Sequence, residues 1–348
     1  MSQEVQLLNE SFEEFLSSWL VSLKNENPDL PDYLIERHRE MARYNCVGGK
    51  YFRGIQVLTF ARIGAEETGI AYETIEKKAL ALAWAIEVLQ SCFLVADDLM
   101  DGSITRRGRP CWYLVEGVGN DAINDALVLE SFMHYLINVG TDDKTYRPIL
   151  KLYLDTATRT QMGQTLDLLC MPQGKKGPDV LRTFSLDVYK RIVKFKTAYY
   201  TFATPMRAGL MIGGVSDEEI HSVVEKVALE IGEKFQIQDD YLDAFQDPKI
   251  LGKIGRDIED HKCSWVCVKT LELANDEQRK RFEDNYGYDD EEKVKTIKQI
   301  YNEVGIPEVY KKQEEDSLQR VLDIIASSSK VKKTWFDPII AIVHNRQK

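Results

Sequence analysis

Little in this 348-residue sequence interrupts a helix. It has only 10 prolines, and most of them lie in short connectors such as residues 27–31 and 171–178. Between connectors, as in residues 181–213 and 216–245, apolar residues recur at helical spacing without strand-like alternation. The sequence therefore predicts an all-α fold, a large helical bundle that forms a single domain over residues 1–348.

Cysteines are few and widely spaced. The six are Cys46, Cys92, Cys111, Cys170, Cys263 and Cys267. The closest two are four residues apart, which is not the CxxC spacing of zinc or redox sites. We expect reduced thiols, most of them buried as small hydrophobic residues. Residues 1–20 are acidic and lack the basic start and apolar core of a signal peptide, so we expect a cytoplasmic protein.

Long uncharged runs are also missing. The most apolar segment, residues 79–96, contains Glu87. It predicts a helix buried in protein rather than a membrane span. The net charge is −11, and no basic stripe offsets it, which argues against a nucleic-acid partner.

Two aspartate clusters of identical spelling are present. Residues 97–101 read DDLMD and residues 239–243 read DDYLD, and each follows an uncharged stretch, residues 91–96 or 235–238. On a helix, the first and last aspartates of each cluster lie about one turn apart. Such crowded carboxylates repel one another unless a hard cation joins them, and Mg²⁺ typically bridges carboxylates to phosphates. The clusters predict two metal-binding walls that face each other across one cavity.

Basic residues suited to diphosphate accompany these clusters. Lys50 and Arg53 follow two glycines at a predicted helix start, where the backbone and the helix N-terminus favour an anion. An arginine pair at residues 106–107 follows the first cluster, and guanidinium groups match phosphate oxygens. Residues 194–197 (KFKT) add a cation next to a hydroxyl group. In a net acidic chain, these residues predict an anion site beside the metal site.

Six motifs occur in order: GGKxxRG, LVADDLMDxSxTRRG, GQTLDLL, KxKTAxY, FQIQDDYLDxF and GKIGxDIxDxKCSW. Together they resemble the farnesyl diphosphate synthases, a family of short-chain trans-prenyltransferases, over most of the chain from about Gly48. The resemblance implies an all-α bundle, usually a homodimer, with the aspartate motifs on opposite walls of a deep central cavity.

The resemblance also implies roles for individual residues. Three Mg²⁺ ions, for which Mn²⁺ can substitute, would be bound with the allylic diphosphate by Asp97, Asp101 and Asp239. This metal site would be supported by Asp98, Asp240, Asp243 and Asp167. The allylic diphosphate would be bound by Arg106, Lys196 and Lys253. Isopentenyl diphosphate would be bound by Lys50, Arg53, Gln90 and Arg107. The reacting centre would be lined by Thr197, Tyr200 and Gln236.

The implied reaction is a head-to-tail prenyl transfer. Isopentenyl diphosphate is condensed with dimethylallyl and then geranyl diphosphate to give farnesyl diphosphate, with release of diphosphate. Breaking the allylic carbon–oxygen bond develops a cation on carbon and negative charge on the leaving group, which preorganised cations stabilise. Water would quench the carbocation, so residues 252–255, with two glycines, are predicted to close as a lid.

Three positions are unusual for this family. In the resembled family, the residues five and four positions before the first motif are commonly both phenylalanine. In this chain they are Cys92 and Phe93. A small thiol there predicts a deeper chain-length pocket and, as an alternative, a bifunctional enzyme that also makes geranylgeranyl diphosphate. Gly102 and Arg256 are also unusual, and the sequence gives no role for either.

Two rival interpretations stay open. A terpene cyclase would share the first motif, but its second motif typically reads N/D-x-x-S/T-x-x-x-E, unlike residues 239–243. A non-catalytic helical subunit would usually have lost aspartates or basic residues that this chain keeps.

Overall fold

A computed structural model describes residues 3–171, 177–246 and 255–344. Apart from one short hairpin, the regular structure of the described residues is helical, which confirms the predicted all-α class. It divides into two compact units, Met1–Ala157 with Thr204–Asp217, and Thr158–Ala203 with Glu218–Lys348. The expectation of a single domain stays a prediction.

The described helices are, in chain order, α1 (Gln3–Glu26), α2 (Asp32–Cys46), α3 (Phe52–Thr68), α4 (Glu76–Asp101), α5 (Ala122–Val139), α6 (Tyr146–Cys170), α7 (Pro178–Leu181), α8 (Leu186–Ile192), α9 (Thr204–Ile212), α10 (Glu218–Phe245), α11 (Trp265–Leu273), α12 (Asp276–Asn285), α13 (Glu291–Glu303), α14 (Ile306–Ala326) and α15 (Asp337–His344). A π-helix, Val193–Ala203, joins α8 to α9. A two-stranded antiparallel hairpin consists of β1 (Thr105–Arg106) and β2 (Arg109–Pro110). Short 3₁₀ turns lie at Tyr72–Thr74, Trp112–Leu114, Gly119–Asp121 and Lys333–Trp335.

Helix α4 is the central element of the first unit. It packs against α3, α5 and α9, and every residue from 81 to 89 is buried. Among the described helices, α4 alone is long and apolar enough to cross a membrane, but 72% of its most apolar stretch is buried inside the protein. Burial on this scale is typical of a core helix, as the apolar stretch with its single Glu87 predicts.

Glycines let α9 and α3 approach closely in the same unit. A Cβ atom on Gly209 would lie 2.5 Å from the Val57 carbonyl oxygen, and one on Gly213 would lie 2.7 Å from the Gly64 Cα atom. Because these neighbours are backbone atoms, they cannot move aside as a side chain would. The two helices therefore pack backbone against backbone.

The core of the second unit surrounds α10 and α11. Helix α10 packs against the π-helix and α14, and Trp265, Phe282 and Tyr301 fill the space nearby. Ser264 caps α11, since its side chain accepts a hydrogen bond from the Cys267 N–H. This core supports the end of α10, which carries the second aspartate motif.

All six cysteines are buried and free. This confirms the expectation of unpaired, small hydrophobic side chains.

Candidate active site

Each aspartate motif lies at the C-terminal end of a long helix. The first motif ends α4 at Asp101, and the second lies within the last seven residues of α10, which ends at Phe245. The carbonyl groups at a helix C-terminus carry partial negative charge, so carboxylates there are unfavourable without a cation. The two motifs belong to different units, and the expectation that they face each other stays a prediction.

Gly102 explains how the first motif ends. It adopts φ +66°, a left-handed conformation that glycine tolerates, and its N–H donates to the Asp98 carbonyl oxygen. The Ser103 N–H donates to the same oxygen at 2.9 Å. The unusual glycine therefore stops α4 immediately after the last aspartate.

The carboxylate of Asp98 is hydrogen-bonded to another side chain of the protein. It is only 3% exposed, and both of its carboxylate oxygens accept hydrogen bonds from Arg106 Nε at 3.2 Å. Burial alone would lower the pKa of Arg106, but the hydrogen bonding to Asp98 together with the charges of Asp98 and Asp97 outweighs burial and raises it. Asp98 therefore orients Arg106. The other two aspartates of the motif are more accessible to solvent: Asp97 is half-buried and Asp101 is exposed.

The hairpin after α4 has a tight two-residue turn between β1 and β2. Arg107 and Gly108 are its two central residues, with φ +52° and +73°. Two consecutive positive φ values are the signature of a type I′ turn, which matches the twist of the flanking strands. The turn sends the side chains of Arg106 and Arg107 to different partners.

Arg107 fastens the hairpin to the end of α2. Its Nη1 atom donates to the carbonyl oxygens of Asn45 and Val47 at 2.9 and 3.0 Å. A Cβ atom on Gly49 would lie 3.2 Å from Arg107 Nη2, so this glycine gives the guanidinium room. Burial lowers the pKa of Arg107, although Glu87 opposes this. Arg107 thus joins the glycine-lysine loop to the first aspartate motif.

The predicted helix start is present, but its N-terminus already holds a carboxyl group of the protein. Helix α3 begins at Phe52, and a Glu87 oxygen accepts hydrogen bonds from the Arg53 and Gly54 N–H groups at 3.1 and 2.8 Å. Glu87 thus occupies the anion position that the sequence left for a ligand. The side chains remain candidates for that role: Lys50 is exposed, and Arg53 Nη1 donates to Gln90 Oε1 at 2.7 Å.

The two chain-length candidates differ in how far the protein buries them. Phe93 is half-buried and precedes Asp97 by one turn on the same face. Cys92 is 8% exposed, and burial, reinforced by Glu130 of α5, raises the pKa of its thiol to about 12. The Cys92 thiol is therefore more enclosed by the protein than the Phe93 ring is.

In the second unit, Asp240 is held from two directions. Its oxygens accept hydrogen bonds from the Trp265 N–H at 2.8 Å and from Gln236 Nε2 at 2.9 Å. Burial raises the pKa of Asp240 to about 7, and the charge of Asp239 adds to this. Asp240 is therefore placed to orient Gln236. Asp243 Oδ1 accepts from the Asp257 N–H at 3.2 Å.

Two lysines converge on Asp167. Lys196 Nζ donates to Asp167 Oδ2 at 2.6 Å, and Lys262 Nζ lies 3.6 Å from the same oxygen. Burial would raise the pKa of Asp167, but Lys262 and Lys196 outweigh it and hold the pKa below its usual range. Asp167, both lysines and Asp239 line one cavity of about 130 Å³. Sequence reasoning missed Lys262, whose only signal was its place in the KCSW motif.

The π-helix brings Lys196 and Thr197 to this cavity. Thr197 Oγ1 donates to Gln236 Oε1 at 3.2 Å, and Tyr200 is half-buried one turn later. Such π-helical segments commonly occur at functional sites. The segment also passes very close to α6, since a Cβ atom on Gly163 would lie 2.1 Å from the Lys196 backbone nitrogen.

The donor atoms suit a hard divalent cation, although they are not gathered in advance. In the described residues, no three or more His, Cys, Asp or Glu side chains form a ready-made metal-binding group. Carboxylate oxygens at two helix C-termini are nevertheless the chemistry that Mg²⁺ or Mn²⁺ prefers.

Two basic residues named in the sequence analysis follow the second motif, and the structure describes only one of them. Lys253 and its neighbour Gly252 lie outside the described residues. Arg256, which had no role in the sequence, donates to Asp260 and Asp289 at 3.4 Å each. It therefore ties the segment after the second motif to the loop before α13.

Known proteins of one family match this chain. The polyprenyl synthetase family profile matches residues 35–304. Over 301 residues, the chain is 44% identical to the farnesyl pyrophosphate synthase of Bos taurus, covering 86% of this chain and 84% of that protein. It is 41% identical to the farnesyl pyrophosphate synthase of Candida albicans over 325 residues, 92% of each protein. The solved structure of Trypanosoma brucei farnesyl diphosphate synthase complexed with a bisphosphonate has a TM-score of 0.89 and 33% identity, covering 99% of this chain and 100% of that one. The chain therefore belongs to the polyprenyl synthetase family of prenyltransferases.

Proposed function

We propose that this protein is a farnesyl diphosphate synthase. It condenses isopentenyl diphosphate with dimethylallyl and then geranyl diphosphate, and it releases diphosphate. The observation that carries the proposal is the placement of two DDxxD motifs at helix C-termini, each beside basic side chains: Arg106 in the first unit, and Lys196 and Lys262 in the second. The relatives' names agree with this reaction.

The proposal includes divalent metal ions bound at the aspartate motifs. Family membership implies a divalent-metal requirement. We propose three Mg²⁺ ions, replaceable by Mn²⁺, with Asp97, Asp101 and Asp239 as ligands. Bound Mg²⁺ would neutralise the charge that develops on the leaving diphosphate. Asp98 and Asp240 support the metal site without binding the metals directly. Asp98 accepts hydrogen bonds from Arg106, and Asp240 accepts them from Gln236 and the Trp265 N–H.

The chain's own residues complete the chemistry. Arg106 is held by Asp98 with its guanidinium oriented, and Lys196 is held by Asp167, so both cations are preorganised for the allylic diphosphate. The polar groups of Thr197 and Gln236 are fixed by their mutual hydrogen bond. Their oxygen dipoles stabilise the allylic carbocation while the double bond of isopentenyl diphosphate attacks. A proton then leaves, and the departed diphosphate accepts it.

We also propose a cytoplasmic homodimer. Helix α5 carries two large exposed apolar residues one turn apart, Ile123 at 56% and Leu127 at 59% exposure. An apolar pair on a helix face that is otherwise polar suits a second copy of the chain. Sedimentation equilibrium of the wild type and of Leu127→Lys tests this proposal, since the substitution should shift the protein toward monomer.

The activity is tested by diphosphate release from geranyl and isopentenyl diphosphates with and without Mg²⁺. Farnesyl diphosphate should form only when both substrates and metal are present. A terpene cyclase would release diphosphate from the allylic substrate alone and yield a hydrocarbon or an alcohol. A non-catalytic subunit would release none, and either result would contradict the proposal.

The metal role is tested by Asp97→Ala and Asp239→Ala. Each should remove most turnover without unfolding the protein, because relieving carboxylate repulsion does not weaken the core. Asp289→Ala is the matched control, since Asp289 is exposed and contacts Arg256 instead of the cavity. Normal specific activity in folded Asp239→Ala protein would exclude the proposed ligand.

A further inference from the structure

A buried ion pair lies behind the second aspartate motif. Lys234 of α10 is only 3% exposed, and its ammonium pairs with Glu314 of α14, whose side chain is 14% exposed. Removing two charges from water is energetically costly, and apolar residues of similar volume often stabilise a protein at least as well. Stability alone therefore does not explain the pair. Conformational specificity is the alternative role.

The ion pair and the candidate site lie on opposite faces of one helix. Lys234, Gln238 and Tyr241 follow the i, i+4, i+7 spacing of one α10 face. Gln236, Asp240 and Asp243 follow the same spacing shifted by two residues, so they lie about 200° around the helix axis from the first face. Any rotation of α10 about its axis therefore moves both faces together.

A continuous series of contacts joins the two faces. Tyr310 lies one turn before Glu314 on α14, and burial, reinforced by the nearby Glu314 carboxylate, raises the pKa of its hydroxyl. Its ring stacks on Tyr241, with centroids 3.8 Å apart and planes 5° apart.

From Tyr310 the contacts continue to the motif. The Trp265 ring meets Tyr310 edge-on at 6.0 Å. The Trp265 N–H donates to Asp240 at 2.8 Å, and the same carboxylate accepts from Gln236. The charged pair and the carboxylate are thus linked through two aromatic rings.

We propose that the Lys234–Glu314 pair fixes the rotation of α10 and thereby positions Gln236 and the second aspartate motif. Lys234 is a positioning residue that does not itself meet the substrate. The kinetic part of this inference rests on the proposed function, while its structural part does not.

The test is the double variant Lys234→Met/Glu314→Leu, which removes both charges and leaves no unpaired ion. We expect the thermal midpoint to be kept or raised, because two desolvated charges disappear. We also expect kcat to fall and the half-saturating Mg²⁺ concentration to rise, each by about 10- to 100-fold, as is typical when support of a metal site is lost. The KM for isopentenyl diphosphate should stay close to the wild-type value.

Hydrogen exchange over residues 236–245, without metal or substrate, gives a readout that needs no activity. Exchange in this segment should be faster in the double variant than in the wild type. Lys226→Met is the matched control, because Lys226 is an exposed lysine on the same helix, and it should change neither exchange nor kinetics. The charge-swapped variant Lys234→Glu/Glu314→Lys should recover much of the wild-type behaviour.

The outcomes are separable. Wild-type exchange and kinetics in the double variant would reduce the pair to ordinary packing and overturn the inference. A drop in thermal stability with unchanged kinetics in the folded fraction would do the same. If the wild type makes no prenyl diphosphate, the proposed function fails, and the exchange measurement alone then decides the inference.

Discussion

At the scale of single residues, Glu87 shows how a buried charge can serve a neighbouring helix. It is 2% exposed within the apolar α4, and one of its oxygens caps the first turn of α3. Burial raises the pKa of Glu87, although Arg53 and the two backbone donors oppose this. The folded protein therefore binds the Glu87 proton more tightly than the unfolded chain does.

The sign of the pH effect follows from this shift. A carboxyl group whose pKa is raised on folding contributes stability below its unfolded pKa, and that contribution is lost as pH rises through the folded value. Glu87→Gln keeps an acceptor oxygen but removes the titration. We expect the free energy of unfolding of the wild type, relative to the variant, to decrease as pH rises above about 4.5. Urea unfolding between pH 4 and 8 checks this, and a constant difference across the range would contradict it.

Arg107 is a second residue whose contacts predict a measurable effect. Its guanidinium joins the hairpin to the loop that carries Lys50, so Arg107→Ala should weaken use of isopentenyl diphosphate more than use of the allylic substrate. A charge-assisted contact is worth about 1.5–3 kcal/mol, or roughly ten- to a hundredfold in apparent affinity. Arg109→Ala is the control, because Arg109 lies on the same hairpin but is exposed and donates to the Tyr44 carbonyl. Equal losses for both substrates would reject this division of roles.

Residue roles were only partly predictable from the sequence. The motifs identify Asp98 and Asp240 as members of acidic clusters. They do not reveal that Asp98 accepts a hydrogen bond from Arg106, or that Asp240 accepts one from the Trp265 N–H. Lys262 lies 95 positions after Asp167 in the sequence, and only tertiary packing brings the two together. Local spacing predicts which residues share a helix face, and it contains no information on partners from distant segments.

At the scale of elements, the backbones of α6 and the π-helix lie very close together at Gly163 and Lys196. Gly163→Ala would place a methyl group 2.1 Å from the Lys196 nitrogen and 2.5 Å from its Cα atom. Overpacking typically costs about 1–3 kcal/mol, which exceeds the gain of about 1 kcal/mol that alanine brings to a helix. We expect a lower thermal midpoint and reduced turnover, since Lys196 must shift away from Asp167. Thr165→Ala, at an exposed position of α6, should leave both unchanged, and equal effects of the two substitutions would exclude the steric explanation.

Element boundaries were predicted best where a residue has a special backbone requirement. The helix start predicted around Lys50 and Arg53 is found at Phe52, and Gly102 ends α4 in the left-handed conformation. The π-helix at Val193–Ala203 was not predicted, because apolar spacing hardly distinguishes π from α geometry over three turns. Backbone contacts such as that between Gly163 and Lys196 are visible only in the folded chain.

At the scale of the whole molecule, the fold class and the family were predictable because helical periodicity and six ordered motifs extend over most of the chain. The family match and the all-helical structure confirm both. Metal number, oligomeric state and location stay predictions, since they depend on ions, a second chain and a cell. Product length depends on the space around one or two side chains, and it is the property that the sequence leaves most open.

The chain-length prediction concerns Cys92 and Phe93. Phe93 lies one turn before Asp97 and should limit the growing tail, whereas the small thiol of Cys92 should leave more of the pocket open than a phenyl ring would. We expect farnesyl diphosphate as the main product with some geranylgeranyl diphosphate. Phe93→Ala should lengthen the products, and Cys92→Phe should remove the twenty-carbon product at a stability cost of about 1–3 kcal/mol from overpacking. Chromatography of dephosphorylated products at high isopentenyl diphosphate measures both effects. If the wild type makes only fifteen-carbon product and Cys92→Phe changes nothing, neighbouring side chains already fill the space and the thiol is ordinary packing.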